Sequence, residues 1–214
     1  MRIDVWSDVV WPWCFIGHRR LEKAIAQFPQ INFQVSHRAF QLQPDLNETV
    51  PTSEYLAQKY RVGAEQVAAM QENVCSIADG EGLCYNLADT LSGNTMDAHR
   101  LILWARTQEK ETELLEAMFS SYFEKQGSLF THKDLLTLVA SVGLDSAQAQ
   151  AILESDSYRN EVIHDQQLAS KLGATGVPFF VVNGKYGISG AQPLEVFTKT
   201  LEAALSDEAY TPPA

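Results

Sequence analysis

Chemistry in this 214-residue chain has few candidate carriers, chiefly the cysteines Cys14, Cys75 and Cys84 among five histidines and an excess of acids. Cys14 lies in Ser7-Asp8-Val9-Val10-Trp11-Pro12-Trp13-Cys14-Phe15-Ile16-Gly17, where a strand-like run gives way to a helix. On that helix it shares a stripe with Gly17, His18 and Leu21, which turns its sulfur toward the interior. A thiol in apolar surroundings has a raised pKa and reacts slowly, so Cys14 reads either as a packing residue or as a residual reactive thiol. Asp8, just after the strand, could assist proton transfer or be a solvated turn residue. Cys75 and Cys84 flank a helix end and a glycine turn. They are expected free in a reducing compartment, with a second redox pair as the alternative. An odd number of cysteines leaves at least one thiol unpaired and is no disulfide framework. The histidines show no metal-ligand spacing with cysteines or carboxylates, so no metal is expected.

The elements that must position these groups can be read from periodicity. Residues 2–6 alternate and form a strand. Pro12 suits the first helical position, Leu21, Ala24, Ile25 and Phe28 share a face, and Pro29 stops the helix. Residues 31–35 alternate strictly and predict a second strand, parallel to the first across a short crossover. The middle is helical over 53–60, 64–79 and 96–108, the last capped by Thr95. Further stripes run through Leu115, Met118, Phe119 and Tyr122, and through Leu135, Leu138, Val139 and Val142, with helices after them over 145–154 and 156–172. Strands return at Val177-Pro178-Phe179-Phe180-Val181-Val182, Asn183-Gly184 marks a hairpin, and a last helix starts near Pro193. The tail, 210–214, is expected to fray.

Composition narrows the function. The net charge of −11 disfavours nucleic acid, because no basic stripe exists to displace counterions from phosphates. No apolar run has the length needed to span a bilayer, so no membrane is expected. The first residues lack a signal-peptide pattern, which makes a cytoplasmic location the default expectation.

Several motifs in order resemble a known family. The segment 7–17, Gly176-Val177-Pro178-Phe179-Phe180 and Ser189-Gly190-Ala191-Gln192-Pro193 are similar to the FrnE-like branch of DsbA-family oxidoreductases. So are Phe40-Gln41-Leu42, Asn94-Thr95-Met96-Asp97-Ala98-His99-Arg100-Leu101 and Gly173-Ala174-Thr175. The resemblance runs from about residue 3 to 204. It implies an α/β thioredoxin-like fold with a large all-helical insertion: a discontinuous thioredoxin-like domain over 1–45 and 174–207, an insertion over 46–173 and a tail over 208–214.

The resemblance also implies a Cys-Pro-Trp-Cys site at the start of the first helix. There the helix dipole and free amides stabilise an attacking thiolate, and the second cysteine resolves the mixed disulfide. In this sequence Trp11 stands where the attacking cysteine belongs, followed by Pro12, Trp13 and Cys14 in the resolving position. Dithiol exchange by Trp11-Pro12-Trp13-Cys14 is therefore expected to be poor. The family further implies a cis peptide bond at Val177-Pro178, whose Val177 backbone would pair with an extended peptide or with glutathione. The turn at Gly190, Ala191 and Gln192 precedes the last helix and would either receive a carboxylate or simply cap it. His99 and Arg100, with Asn94 and Thr95, belong to the resemblance, and either serve the family's function or simply cap and pair on a helix surface.

Three functions follow as expectations. The first is a thiol–disulfide oxidoreductase acting on a thiol- or disulfide-containing protein or small molecule, with no cofactor. The second is a glutathione-dependent isomerase or transferase of the kappa kind, with glutathione as co-substrate. The third is a non-catalytic module binding partners in an apolar groove of Trp11, Trp13 and Phe179.

Overall fold

A computed structural model describes residues 1–207. The chain divides into two compact units, one made of Met1–Phe40 and the chain from Asp165 onward, the other of Gln41–His164. The expected insertion at 46–173 was wider at its C-terminal end. The difference has a physical cause in Asp165, whose carboxylate accepts from the Ala39 amide at 3.1 Å and from Arg38 at 3.1 Å. Its carbonyl takes the Trp6 indole N–H at 2.8 Å. These bonds tie the chain back to the first unit well before Gly173. The tail residues 208–214 lie outside the described residues.

The first unit holds a four-stranded sheet in the order β2-β1-β5-β6, with β1 Arg2–Ser7, β2 Gln34–Ala39, β5 Phe179–Val182 and β6 Tyr186–Ser189. β1 pairs parallel with β2 and antiparallel with β5, and β5 pairs antiparallel with β6. The helix α1 (Pro12–Ile25) supplies the crossover that a parallel pair requires. Alternation divides the side chains of the sheet between its two faces. Ile3, Val5, Phe180, Val182 and Ile188 join Leu21 and Ala24 of α1 in one core. Phe197, Leu201 and Ala204 of the last helix (Leu194–Ser206) complete it. The rings of Phe180 and Phe197 meet edge to face at 4.9 Å.

The second strand differs from its sequence expectation of 31–35. It begins at Gln34, because β1 dictates the register: Arg2 lies opposite Gln34 and Ser7 opposite Ala39. Ile31 and Phe33 instead pack, partly buried, against the core from the connecting segment. Pro178 likewise precedes its strand rather than lying in it. The hairpin turn is as Asn-Gly dictates, with φ of 50° at Asn183 and 69° at Gly184.

In the second unit, α2 (Thr52–Tyr60), α3 (Ala64–Gly80), α4 (Met96–Arg106), α5 (Glu111–Glu124), α6 (His132–Ser141) and α7 (Ser146–Leu153) are joined by short connections, apart from the longer one over 81–95 between α3 and α4. α8 (Arg159–Lys171) crosses the unit boundary, and the last helix is numbered α9. Two-residue strands β3 (Val50–Pro51) and β4 (Leu91–Ser92), which periodicity does not reveal, pair antiparallel. Ala98, Leu101, Ile102, Ala105, Leu115, Met118, Phe119, Tyr122, Leu135 and Val139 are all buried, so the helical spacings do mark the core.

Two expectations on α4 change. Thr95 occupies the cap position but makes no capping bond; Asn94 Oδ1 accepts from the Met96 amide at 2.8 Å instead. Arg100 is buried rather than on a surface. Its guanidinium meets Asp97 Oδ1 at 2.8 Å, the Ser157 carbonyl at 2.7 Å and the carbonyls of Ile152 and Ser155. A charge so enclosed is tolerated because each guanidinium nitrogen finds an acceptor. Among the described residues, no helix is long and apolar enough to cross a membrane.

Candidate functional site

All of the site described below lies in the first unit. Trp11 occupies the cap position of α1 with extended backbone (φ −104°, ψ 114°), and Pro12 opens the helix as its fixed φ favours. Trp11, Pro12 and Trp13 are half-buried. From there two stripes of α1 diverge. Cys14, His18 and Leu21 turn inward and are buried. Trp13, Gly17 and Arg20 follow a neighbouring line, spaced i, i+4, i+7.

Cys14 is only 1% exposed. Its Sγ accepts a hydrogen bond from the Asp8 amide at 3.4 Å. Burial pushes the thiol well above its ordinary range; the Asp8 amide opposes this and the Asp8 carboxylate adds to it. The chemistry available at this sulfur is that of a protonated, enclosed thiol. Asp8 is also buried, at 1% exposure, which corrects its reading as a solvated turn residue.

The Val177–Pro178 peptide bond is cis. The loop comes so close to α1 that a Cβ added at Gly17 would lie 2.9 Å from Pro178 Cγ and 3.1 Å from Phe180 Cζ. Only glycine leaves room for that approach. Ala191 reaches the same spot, with its Cβ 3.5 Å from that position. The glycine thus brings Pro178 and Ala191 within a helical turn of Trp13 and Cys14. Val177 is buried as a residue, and its amide and carbonyl hydrogen-bond to no described residue. Pro178, in contrast, gives its carbonyl to the Gly190 amide at 2.8 Å.

The turn before α9 is held from several sides. Gly190 takes φ of 79°, which suits a residue without Cβ. The Gln192 amide donates to Gly190 O at 2.9 Å and its side chain to Ser189 O at 2.8 Å. Arg20 Nη1 donates to Ala191 O at 2.7 Å and to Gln192 O at 3.2 Å. Arg20 was not singled out from the sequence. Its i+3 spacing from Gly17 could have flagged it, but its partners lie about 170 residues away.

Phe179 does not join Trp11 and Trp13 in a groove. It is buried, with its ring against Trp6 at 5.8 Å, because it occupies the strand position that alternates away from Phe180. Cys75 and Cys84 belong to the second unit and are both free, Cys75 half-buried and Cys84 exposed.

Comparison with known proteins agrees with the fold. The family described as DSBA-like thioredoxin domain matches residues 2–202. Among solved structures, a probable DsbA oxidoreductase from Streptomyces coelicolor, SCO1869, superposes with a TM-score of 0.94 at 37% identity, over 100% of this chain and 94% of that one. A Bacillus subtilis protein, YwbO, itself described as uncharacterized, is 26% identical over 97% of both chains. The cytosolic disulfide reductase DsbM from Pseudomonas aeruginosa, solved with GSH, shares the fold at a TM-score of 0.64 and 16% identity, covering 96% of this chain and 99% of that one.

Proposed function

This chain belongs to the DSBA-like thioredoxin domain family, and from that premise we propose that it binds extended thiol- or disulfide-bearing peptides without performing two-cysteine exchange. Its family chemistry is thiol–disulfide exchange, in which a thiolate attacks one sulfur of a disulfide and the other leaves as thiolate. Trp11 offers no sulfur for that attack; its indole carries one N–H donor and nothing more. Cys14, the resolving partner by position, is enclosed and held protonated. Recognition is better equipped. The observation that carries the reading is the unpaired Val177 backbone beside cis Pro178, which meets α1 at Gly17, four residues on from half-buried Trp13. An extended chain can add to such an edge through main-chain hydrogen bonds.

Membership of the FrnE-like branch and a cytoplasmic setting belong to the same proposal, in keeping with the cytosolic reductase among the similar folds. Glutathione is the second ligand to consider, because it is itself a short peptide and GSH accompanies that reductase. In this reading it would lie along the Val177 edge toward Gly190, Ala191 and Gln192.

Two measurements test the proposal. Titration calorimetry with an S-methylated cysteine pentapeptide and with reduced glutathione should give saturable binding to the unmodified protein. Absence of binding by both at millimolar concentration ends the recognition reading. Reduction of a test disulfide should be negligible for the unmodified protein and faster by on the order of a hundredfold or more for Trp11→Cys. Equal rates in the two proteins would contradict the assignment of position 11.

A further inference from the structure

The turn at 189–192 is unusual in how its polar groups are used. Every carbonyl from Ser189 to Pro193 already has a donor. Ser189 O takes the Gln192 side chain, Gly190 O the Gln192 amide, and Pro193 O the Val196 amide. The remaining two, on Ala191 and Gln192, are both taken by the single guanidinium of Arg20. Of the amides in the same stretch, Gly190 and Gln192 are used, whereas those of Ala191, Leu194 and Glu195 bond to no described residue. The backbone of the segment therefore has amide donors to spare, while each of its carbonyls from Ser189 to Pro193 already has a donor.

We propose that Arg20 is a positioning residue for ligand binding: by drawing the Ala191 and Gln192 carbonyls onto α1, it fixes this turn as the donor-only side of the peptide edge. The inference rests on the recognition reading above. The geometry is economical. Gly17 sets how close α1 comes to Pro178 and Ala191, and Arg20, one helical turn on, sets which way the turn presents its peptide groups. Without the guanidinium, two carbonyls would compete for the orientation now given to amides, and an incoming acceptor would meet like partial charge. Both bonds leave one nitrogen, Nη1, so a lysine ammonium could replace them only as a flexible point donor, without the fixed geometry of the planar guanidinium.

Three proteins decide the matter: the unmodified chain, Arg20→Met and Arg20→Lys. Methionine keeps the helix propensity and much of the aliphatic stem. In the unliganded protein, hydrogen exchange at the Gly190 and Gln192 amides should quicken by about tenfold in Arg20→Met, the loss expected for a charge-assisted bond, and less in Arg20→Lys. Unchanged exchange overturns the inference whatever the ligand does. Affinity for the S-methylated pentapeptide, measured where all three proteins are folded, should fall by about tenfold in Arg20→Met and recover in part in Arg20→Lys. Equal affinity in all three, with the unmodified protein binding, also overturns it. If the unmodified protein binds neither pentapeptide nor glutathione, the recognition reading fails, while the exchange rates still decide whether Arg20 holds the turn.

Discussion

The two halves of the site are built to opposite specifications. On one, Cys14 and Asp8 are enclosed to 1% exposure, and the sulfur is held protonated by the cost of burying its charge. On the other, the Val177 peptide groups stay unpaired beside cis Pro178, where the loop meets α1 at Gly17. In a two-cysteine site these halves work together, one recognising and the other reacting. In the proposed reading recognition and chemistry are separable, because the edge is a property of the backbone while exchange would depend on the side chain at position 11.

That contrast can be broken most readily at the thiols. Alkylation of the native protein, followed by mass mapping, should modify Cys84 readily and Cys14 at least about a thousandfold more slowly, since Cys14 reacts only when the structure opens. Comparable rates would mean that the reactive half is not sealed. The next effect concerns pH. The folded Cys14 thiol titrates above its unfolded value, which lies near about 8.5. Below that value both states are protonated and the contribution to stability is complete. As pH rises past it the unfolded chain ionises first, and stability is lost progressively toward the folded pKa. Urea unfolding above about pH 9 should therefore weaken by about 1.4 kcal/mol per pH unit from this group, and Cys14→Ala should remove that part of the slope.

The smallest expected effect sharpens the other half. Gly17→Ala places a methyl 2.9 Å from Pro178 Cγ and 3.1 Å from Phe180 Cζ. Overpacking of that kind costs about 1–3 kcal/mol, against about 1 kcal/mol gained in helix propensity. A net loss of up to about 2 kcal/mol in chemical denaturation is expected, with weaker binding of the S-methylated pentapeptide. A variant as stable and as competent as the unmodified protein would show that the edge does not depend on this close approach.

Much of the architecture was legible in advance where a local rule sufficed. Helical spacing marked the buried residues of α4 and α5, Pro12 marked the start of α1, and Asn183-Gly184 marked the hairpin. Reading failed where a distant partner decided. β2 was placed three residues early, because Ile31 and Phe33 alternate like a strand yet only pairing with β1 sets the register. Thr95 has the chemistry of a cap, but the neighbouring Asn94 does the work, and the Thr95 hydroxyl is buried without a partner among the described residues. Asp8 and Arg100 were expected near solvent, since charge ordinarily stays there. Both are buried, and Arg100 is satisfied by carbonyls more than fifty residues away.

The sequence by itself determined most of the helices, the hairpin turn and the presence of Trp11 before Pro12, because periodicity, turn chemistry and the identity of one residue are local facts. Tertiary structure alone decided that Cys14 is sealed, that Phe179 turns to Trp6 and away from the edge, and that Arg20 holds the turn at 191–192. Each of these depends on groups far apart in the chain, and their energies of burial and hydrogen bonding exist only once those groups have met.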